Sequence, residues 1–155
     1  MNEIVLINKL QELGIKYSIM EHEPITTMEQ GLNIMNKING CVPVNLLLKD
    51  KNKNYYLFIK SLTRNIKIND LSKILKINGL TMAKNDELKT VLDVSIGCVT
   101  LFGIMKDPKI KILLDKTIES DDITFHPFRN NASMTIKRED MFKFITACGN
   151  VYQFV

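Results

Sequence analysis

The sequence predicts an α+β fold built on a mixed, curled β-sheet. Its 155 residues fit one domain, residues 1–155, that is long enough to bury a core. Hydrophobic residues make up 45% and charged residues 25% of the chain, as in ordinary globular proteins. Segments with helical and strand patterns are interspersed without a regular βαβ repeat, which favours a mixed sheet over a doubly wound one.

The first half of the chain is predicted to hold two helices and three strands. Leucines recur at helical spacing before Gly14, which supplies a stop. Thr27 and Gln30 have the spacing of a capping box and so begin a second helix. The predicted elements are, in order, a helix over 2–13, a strand over 15–20, a helix over 27–38 and a hairpin of strands over 42–50 and 55–62.

The second half alternates short helices with short strands. Asn69 is predicted to cap a helix, and the Val/Thr/Phe run between Gly97 and Gly103 fits a half-buried strand. The predicted elements are helices over 69–75, 85–92 and 137–148, and strands over 81–83, 96–104, 110–114, 123–125, 132–136 and 151–154.

Charge and cysteine usage exclude several classes of protein. The formal net charge of +4 permits contact with a phosphate backbone without requiring it, and the dense patch over 49–53 is typical of a solvated hairpin turn. No apolar run approaches the roughly 20 residues that span a bilayer, and no secretory signal is seen. Three scattered cysteines favour neither a zinc site nor a closed disulfide set, so we expect a reduced, cytoplasmic compartment.

Two stretches carry candidate chemistry. Gly97 has no Cβ, so a bound group can approach its backbone N–H. His126 stands between Phe125 and Pro127, where an imidazole can orient or deprotonate water. Each stretch also has a simpler interpretation, because a glycine-bounded strand is more often a bent core strand and a lone histidine is more often structural.

The order of the motifs is more specific than any one of them. They are Glu21-His22-Glu23-Pro24, Thr26-Thr27-Met28-Glu29, Gly40, Asn45 to Lys51, Tyr55 to Phe58, Asp70-Leu71, Gly97 to Gly103, and Phe125-His126-Pro127 with Asn130. This series resembles the YbaK/ProX family of prolyl-tRNA editing domains, in particular its free-standing ProX-like branch. The resemblance runs from about Leu10 to Gly149.

The resemblance implies a barrel-like mixed sheet surrounded by helices, and a trans-editing deacylase that hydrolyses the ester of a small amino acid on tRNA(Pro). Alanine is the first expectation for that amino acid, with cysteine or serine next. Gly97, His126 and Asn45 are the implied catalytic residues, and no metal or cofactor is expected. The residues expected to bind substrate are His22, Thr26, Val44, Cys98, Thr100, Phe102 and Asn130.

Val44 departs from the family pattern, which usually has a lysine immediately before Asn45. Lys49 lies on the other face of a regular strand, whereas Lys60 and Lys106 stay open as substitutes. The alternative function is therefore a catalytically lapsed member that binds an amino acid or an aminoacyl-tRNA end as a sensor. The expected partners are the tRNA acceptor end and, as a further candidate, prolyl-tRNA synthetase, with neither a membrane nor DNA.

Overall fold

The computed structural model describes residues 1–155 and contains five α-helices, one 3-10 helix and eight β-strands. The α-helices are α1 (Glu3–Glu12), α2 (Met28–Met35), α3 (Ile68–Leu75), α4 (Asn85–Leu92) and α5 (Arg138–Ala147). The strands are β1 (Tyr17–Glu21), β2 (Val44–Lys49), β3 (Tyr55–Lys60), β4 (Thr81–Met82), β5 (Lys111–Leu114), β6 (Asp122–Phe125), β7 (Ala132–Lys137) and β8 (Tyr152–Phe154).

The strands form two sheets, in the orders β1-β7-β6 and β4-β2-β3-β5-β8. Strand β5 runs parallel to both of its neighbours, whereas all other pairs are antiparallel, so the mixed α+β prediction is confirmed. One parallel bridge between Cys41 and Ile123 joins the segment that precedes β2 to the edge strand β6. The sheets are thereby linked at one point and do not close into a single barrel.

Side-chain caps set the start of two of the five α-helices, α1 and α2. The capping box at the start of α2 is confirmed, since the side chains of Thr27 and Gln30 each accept from the other's backbone N–H. The helix ends at Met35, three residues earlier than predicted. The prediction that Asn69 caps α3 is wrong, because the helix begins at Ile68 and Asn69 lies inside its first turn.

The segment between Gly97 and Gly103 is not a strand, and that prediction is wrong. It is a loop followed by the 3-10 helix Leu101–Lys106. Thr100 starts this helix, since its Oγ1 accepts from the Phe102 N–H, and the Gly103 N–H then donates to the Thr100 carbonyl. A Cβ on Gly103 would lie 3.1 Å from Leu92, so close packing against α4 overrides the β propensity of the sequence.

Phe102 lies at the centre of the main core. Its ring is fully buried and makes edge-to-face contacts with Phe125 and Phe144, both at 5.4 Å between ring centroids. Strand β2 serves two cores, because Leu47 packs in the main cluster whereas Leu48 packs in a smaller cluster on the other face of the sheet. None of the helices combines the length and the hydropathy needed to span a membrane.

Candidate functional site

The three-stranded sheet carries polar side chains on the face that turns away from the main core. In β7, Ala132, Met134 and Ile136 are buried towards the core, so Ser133 and Thr135 lie on the opposite face. The Thr135 hydroxyl is 2.7 Å from that of Thr124 in the neighbouring strand β6. Ser133 and Thr124 are almost fully buried, although both are hydroxyl residues on the outer face of a sheet.

His126 lies directly after β6, at the end of this polar face. Its Nδ1 is 3.2 Å from the Ala132 carbonyl oxygen, which can only accept, so Nδ1 carries the proton. Its Nε2 makes no hydrogen bond within the chain and is left with a free lone pair. Burial lowers the pKa of His126, and the nearby His22 lowers it further, although the bond to Ala132 opposes both effects. The imidazole is therefore neutral at physiological pH, as a general base must be.

His22 lies next to His126 and has a defined tautomer of its own. Its Nδ1 donates to the Glu23 carbonyl at 2.8 Å, and its Nε2 lies 2.9 Å from the Ser133 hydroxyl, from which a neutral ring accepts. The backbone holds the same segment in place, because the His22 N–H donates to the Asn131 carbonyl. The strand β1 thus continues past its last residue and brings the two histidines to one surface.

Asn130 and Thr26 flank the histidines but are engaged in local bonds. The Asn130 carbonyl accepts from the Ile25 N–H, and its side-chain amide lies 3.5 Å from the Ile25 carbonyl. Thr26 donates through its N–H and its hydroxyl to the Gln30 side chain, at 2.8 and 2.9 Å. Thr26 therefore supports the start of α2, and Asn130 ties the turn after β6 to the loop before that helix.

The Gly97 loop offers free backbone donors. Gly97 has φ +81°, a conformation that strongly favours glycine, and a Cβ there would meet open space. The N–H groups of Gly97 and Val99 make no hydrogen bond within the chain, whereas the Cys98 N–H donates to the Ser95 carbonyl. Cys98 itself is buried, and burial raises the pKa of its thiol, so it is an unreactive packing residue.

Thr100 and Phe102 lie beneath this loop with no exposed surface. The contact between the Phe102 and Phe125 rings connects the Gly97 loop to the strand that ends at His126. Thr100 and Phe102 therefore support the site from within the core, and neither has a surface that a bound molecule could touch.

Val44 and Asn45 lie in the other sheet, at the start of β2, and point to opposite faces. Val44 pairs with Lys60 and Asn45 pairs with Ile59 across the β2–β3 ladder. The Asn45 amide donates to the Pro43 carbonyl at 3.2 Å, whereas its Oδ1 is buried without a partner. An unpaired buried acceptor is uncommon, and the Oδ1 of Asn150, outside this region, is the other one in the chain.

The backbone carries β2 and His126 towards the same end of the molecule. The bridge between Cys41 and Ile123 is parallel, so the two segments run in the same direction from it. Val44 and His126 each lie three residues beyond the bridge. Pro43 has no N–H and ends the pairing. The structure thus groups His22, His126 and Asn130 closely, whereas Val44 and Asn45 belong to the neighbouring sheet.

The sequence alone did not single out Ser133. The signal that could have found it is the polar position between the apolar residues Ala132 and Met134, in a strand that directly follows the predicted histidine turn. No group of three or more His, Cys, Asp or Glu side chains is arranged to hold a metal ion.

Comparison with known proteins places the chain in a family. Residues 22–144 match the family described as the aminoacyl-tRNA editing domain. The chain belongs to the aminoacyl-tRNA editing domain family. The matched region contains every predicted site residue of this editing domain, from His22 to Asn130.

Two curated relatives match the editing domain over almost its whole length. One is the prolyl-tRNA editing protein ProX of Acetoanaerobium sticklandii, which is 29% identical over 97% of this chain and 94% of its own. The other is the prolyl-tRNA synthetase associated domain-containing protein 1 of Mus musculus, which is 32% identical over 94% of this chain and 90% of its own.

A solved structure shows the same fold at much lower identity. It is described as a proposed trans-editing enzyme for prolyl tRNA synthetase and superimposes with a TM-score of 0.74, covering 99% of this chain and 94% of its own at 14% identity. The YbaK/ProX-like fold predicted from the sequence is therefore confirmed for this editing domain.

Proposed function

We propose that the protein is a trans-editing aminoacyl-tRNA deacylase that hydrolyses the ester of a small amino acid mischarged on tRNA(Pro), with alanine as the first expectation and cysteine or serine next. The observation that carries the proposal is the His126 imidazole, which is neutral, fixed through Nδ1 and free at Nε2. Membership of the editing domain family supports the same reaction. The proposed partners are the tRNA acceptor end and prolyl-tRNA synthetase, in the cytoplasm.

The proposed reaction begins with a water molecule held at His126. Nε2 removes a proton as the water oxygen attacks the ester carbonyl, a role in which side chains typically contribute about 10²- to 10⁴-fold. The carbonyl oxygen becomes negative and accepts from the free N–H of Gly97 or Val99. Preorganised donors of this kind are each worth about 3–4 kcal/mol in the transition state. The tetrahedral intermediate then expels the ribose oxygen, which takes the proton back.

The alternative, a lapsed member that binds an aminoacyl end, is favoured by one observation. Neither of the two lysines within strands β2 and β3 offers a free ammonium group. Lys49 donates to both oxygens of Glu87 at 2.9 Å, and Lys60 donates to the Ser61 and Arg64 carbonyls at 2.9 Å. The ammonium that the family usually places before Asn45 is thus not replaced by either of these strand lysines.

The experiment that separates the two functions is a deacylation assay on tRNA(Pro) charged separately with alanine, cysteine, serine and proline. We expect hydrolysis of at least one small amino acid and survival of prolyl-tRNA. His126→Gln is the matched control, because a glutamine amide can still donate to the Ala132 carbonyl but cannot accept a proton. Binding of charged tRNA without any hydrolysis would reject the deacylase and support the lapsed member.

A further inference from the structure

Arg129 lies in the turn that follows His126 and uses all five of its N–H donors. Two of them reach the Glu21 carboxylate, both at 2.6 Å, and two reach the Glu3 carboxylate, at 2.8 and 3.2 Å. The fifth reaches the Asn131 side chain at 3.2 Å. A guanidinium that makes two fork-like carboxylate pairs is held in one orientation, because its planar geometry matches both partners.

The groups that Arg129 joins belong to the two segments that carry the histidines. Glu21 is the last residue of β1 and directly precedes His22, whereas Arg129 is three residues after His126. Glu3 adds a third anchor, since it opens helix α1, whose Leu6 and Leu10 are fully buried in the main core. The guanidinium therefore ties both histidine-bearing segments to the rigid body of the protein.

The turn itself needs such an anchor. Phe128 has φ +68°, a left-handed conformation that is strained for a residue with a Cβ. The next residue is Arg129, so the strained position and the five-bond anchor are adjacent in sequence. A strained backbone persists only where the surrounding structure holds it, and the bonds of Arg129 to Glu3 and Glu21 lie directly beside this position.

We propose that Arg129 is a positioning residue that fixes the separation and orientation of His22 and His126. It acts through Glu21 on the His22 segment and through the turn on His126, and it touches neither imidazole. The relevance of this to catalysis rests on the proposed deacylase function, whereas the geometry itself does not. The two can therefore be tested separately.

The first test is structural and uses the fact that the chain has only two histidines. The imidazole Cε1–H signals of Arg129→Gln are compared by NMR with those of the unmodified protein, the His22 signal being assigned from its loss in His22→Ala. We expect both signals to shift or broaden in Arg129→Gln. Arg138→Gln is the matched control, because Arg138 covers the Phe142 ring at the opposite end of β7 and the same charge is removed.

The second test measures deacylation. We expect Arg129→Gln to lower kcat by about 10- to 100-fold with a much smaller change in KM, since small misplacements of reacting groups cost rates of this order. The same substitution should cost much less in a His126→Gln background, because one of the two histidines through which Arg129 acts has then been removed. Arg129→Lys keeps the charge without the fork and should recover only a small part of the rate.

The outcomes are distinct. Unmoved histidine signals in a folded Arg129→Gln protein would overturn the proposal whatever the activity. Equal losses of kcat in the His126→Gln background and in the unmodified background would also overturn it. If Arg129→Gln does not fold, Glu21→Gln is used instead, because the Glu21 side chain is mostly exposed. This substitution weakens only the contact that leads from Arg129 to the His22 segment. Shifted histidine signals together with an inactive unmodified protein would uphold the positioning role and reject the deacylase.

Discussion

Two regions of the molecule hold buried polar groups, and they differ in whether those groups have partners. Asp115, at the end of β5, has a fully buried side chain that accepts from the Ser61 N–H, the Arg64 guanidinium and the N–H and hydroxyl of Thr117. At the histidine end, the Nε2 of His126 has no partner within the chain. The first region is saturated by its own bonds, whereas the second keeps a reactive atom available.

The contrast indicates where structure and where chemistry reside. A buried group whose bonding capacity is fully used within the chain contributes to folding, and its removal leaves partners stranded. A group that is oriented on one side and free on the other can bind or react. Substitutions around Asp115 should therefore change stability, and substitutions around His126 should change activity.

The largest effect is expected for Asp115→Ala. Burial by itself would raise the pKa of this carboxyl, but hydrogen bonds from Thr117, Ser61 and Arg64 lower it below its ordinary value. Removing the carboxylate leaves the Arg64 charge half-buried and two N–H groups unpaired. We expect a loss of about 3–5 kcal/mol in the free energy of unfolding, measured by urea denaturation. Asp121→Ala, at an exposed side chain with no hydrogen bond, is the control and should change stability by under about 0.5 kcal/mol.

The second prediction concerns His126→Ala and tests the other half of the comparison. Without the base, we expect deacylation to fall by about 10- to 1,000-fold. The melting temperature should change little, because the imidazole makes one long bond, to the Ala132 carbonyl. Rates and thermal melts are measured on the same preparation. Full activity in a folded His126→Ala protein would remove this residue from the mechanism.

The third prediction concerns Val44→Lys, which restores the residue that the family usually has. A charge-assisted hydrogen bond to the substrate would raise deacylation by about 10-fold or more. Lys60 is directly opposite Val44 in the ladder, so the like charges should cost about 0.2–1 kcal/mol of stability. Val44→Met is the control for side-chain length. A stable Val44→Lys protein that gains no activity would favour the lapsed member.

The sequence predicted the helices and strands well where local signals govern them. The Thr27 capping box formed as expected, and the hairpin turn formed between β2 and β3, where Asp50 accepts from the backbone N–H groups of Asn52 and Asn54. The strand predicted across Gly97 to Gly103 did not form, because its conformation depends on the packing of Gly103 against Leu92 in another helix. Propensity cannot show a contact of that kind.

The candidate site was predicted only in part, for a similar reason. His22, His126 and Gly97 could be named because histidines and exposed glycines are conspicuous in a sequence. Ser133 could not, since its hydroxyl matters only through the Nε2 of His22, which is 111 residues away. Four of the five bonds of Arg129 likewise join residues that are separated by more than 100 positions.

The smallest effect is expected from pH and concerns the protonation of His126. Its pKa is lower in the folded protein than the ordinary value of 6.5, mainly because of burial. The unfolded chain therefore binds a proton more readily, so the free energy of unfolding should fall as the pH drops below about 6.5 and level off below the folded pKa. Deacylation should decline over the lower part of the same range, because the protonated imidazole cannot accept a proton.

Urea unfolding from about pH 8 to about pH 5, compared with His126→Gln, measures the contribution of this residue. An identical pH dependence in both proteins would show that His126 is not held neutral by the fold. The proposed difference between the histidine end and the Asp115 region would then be lost.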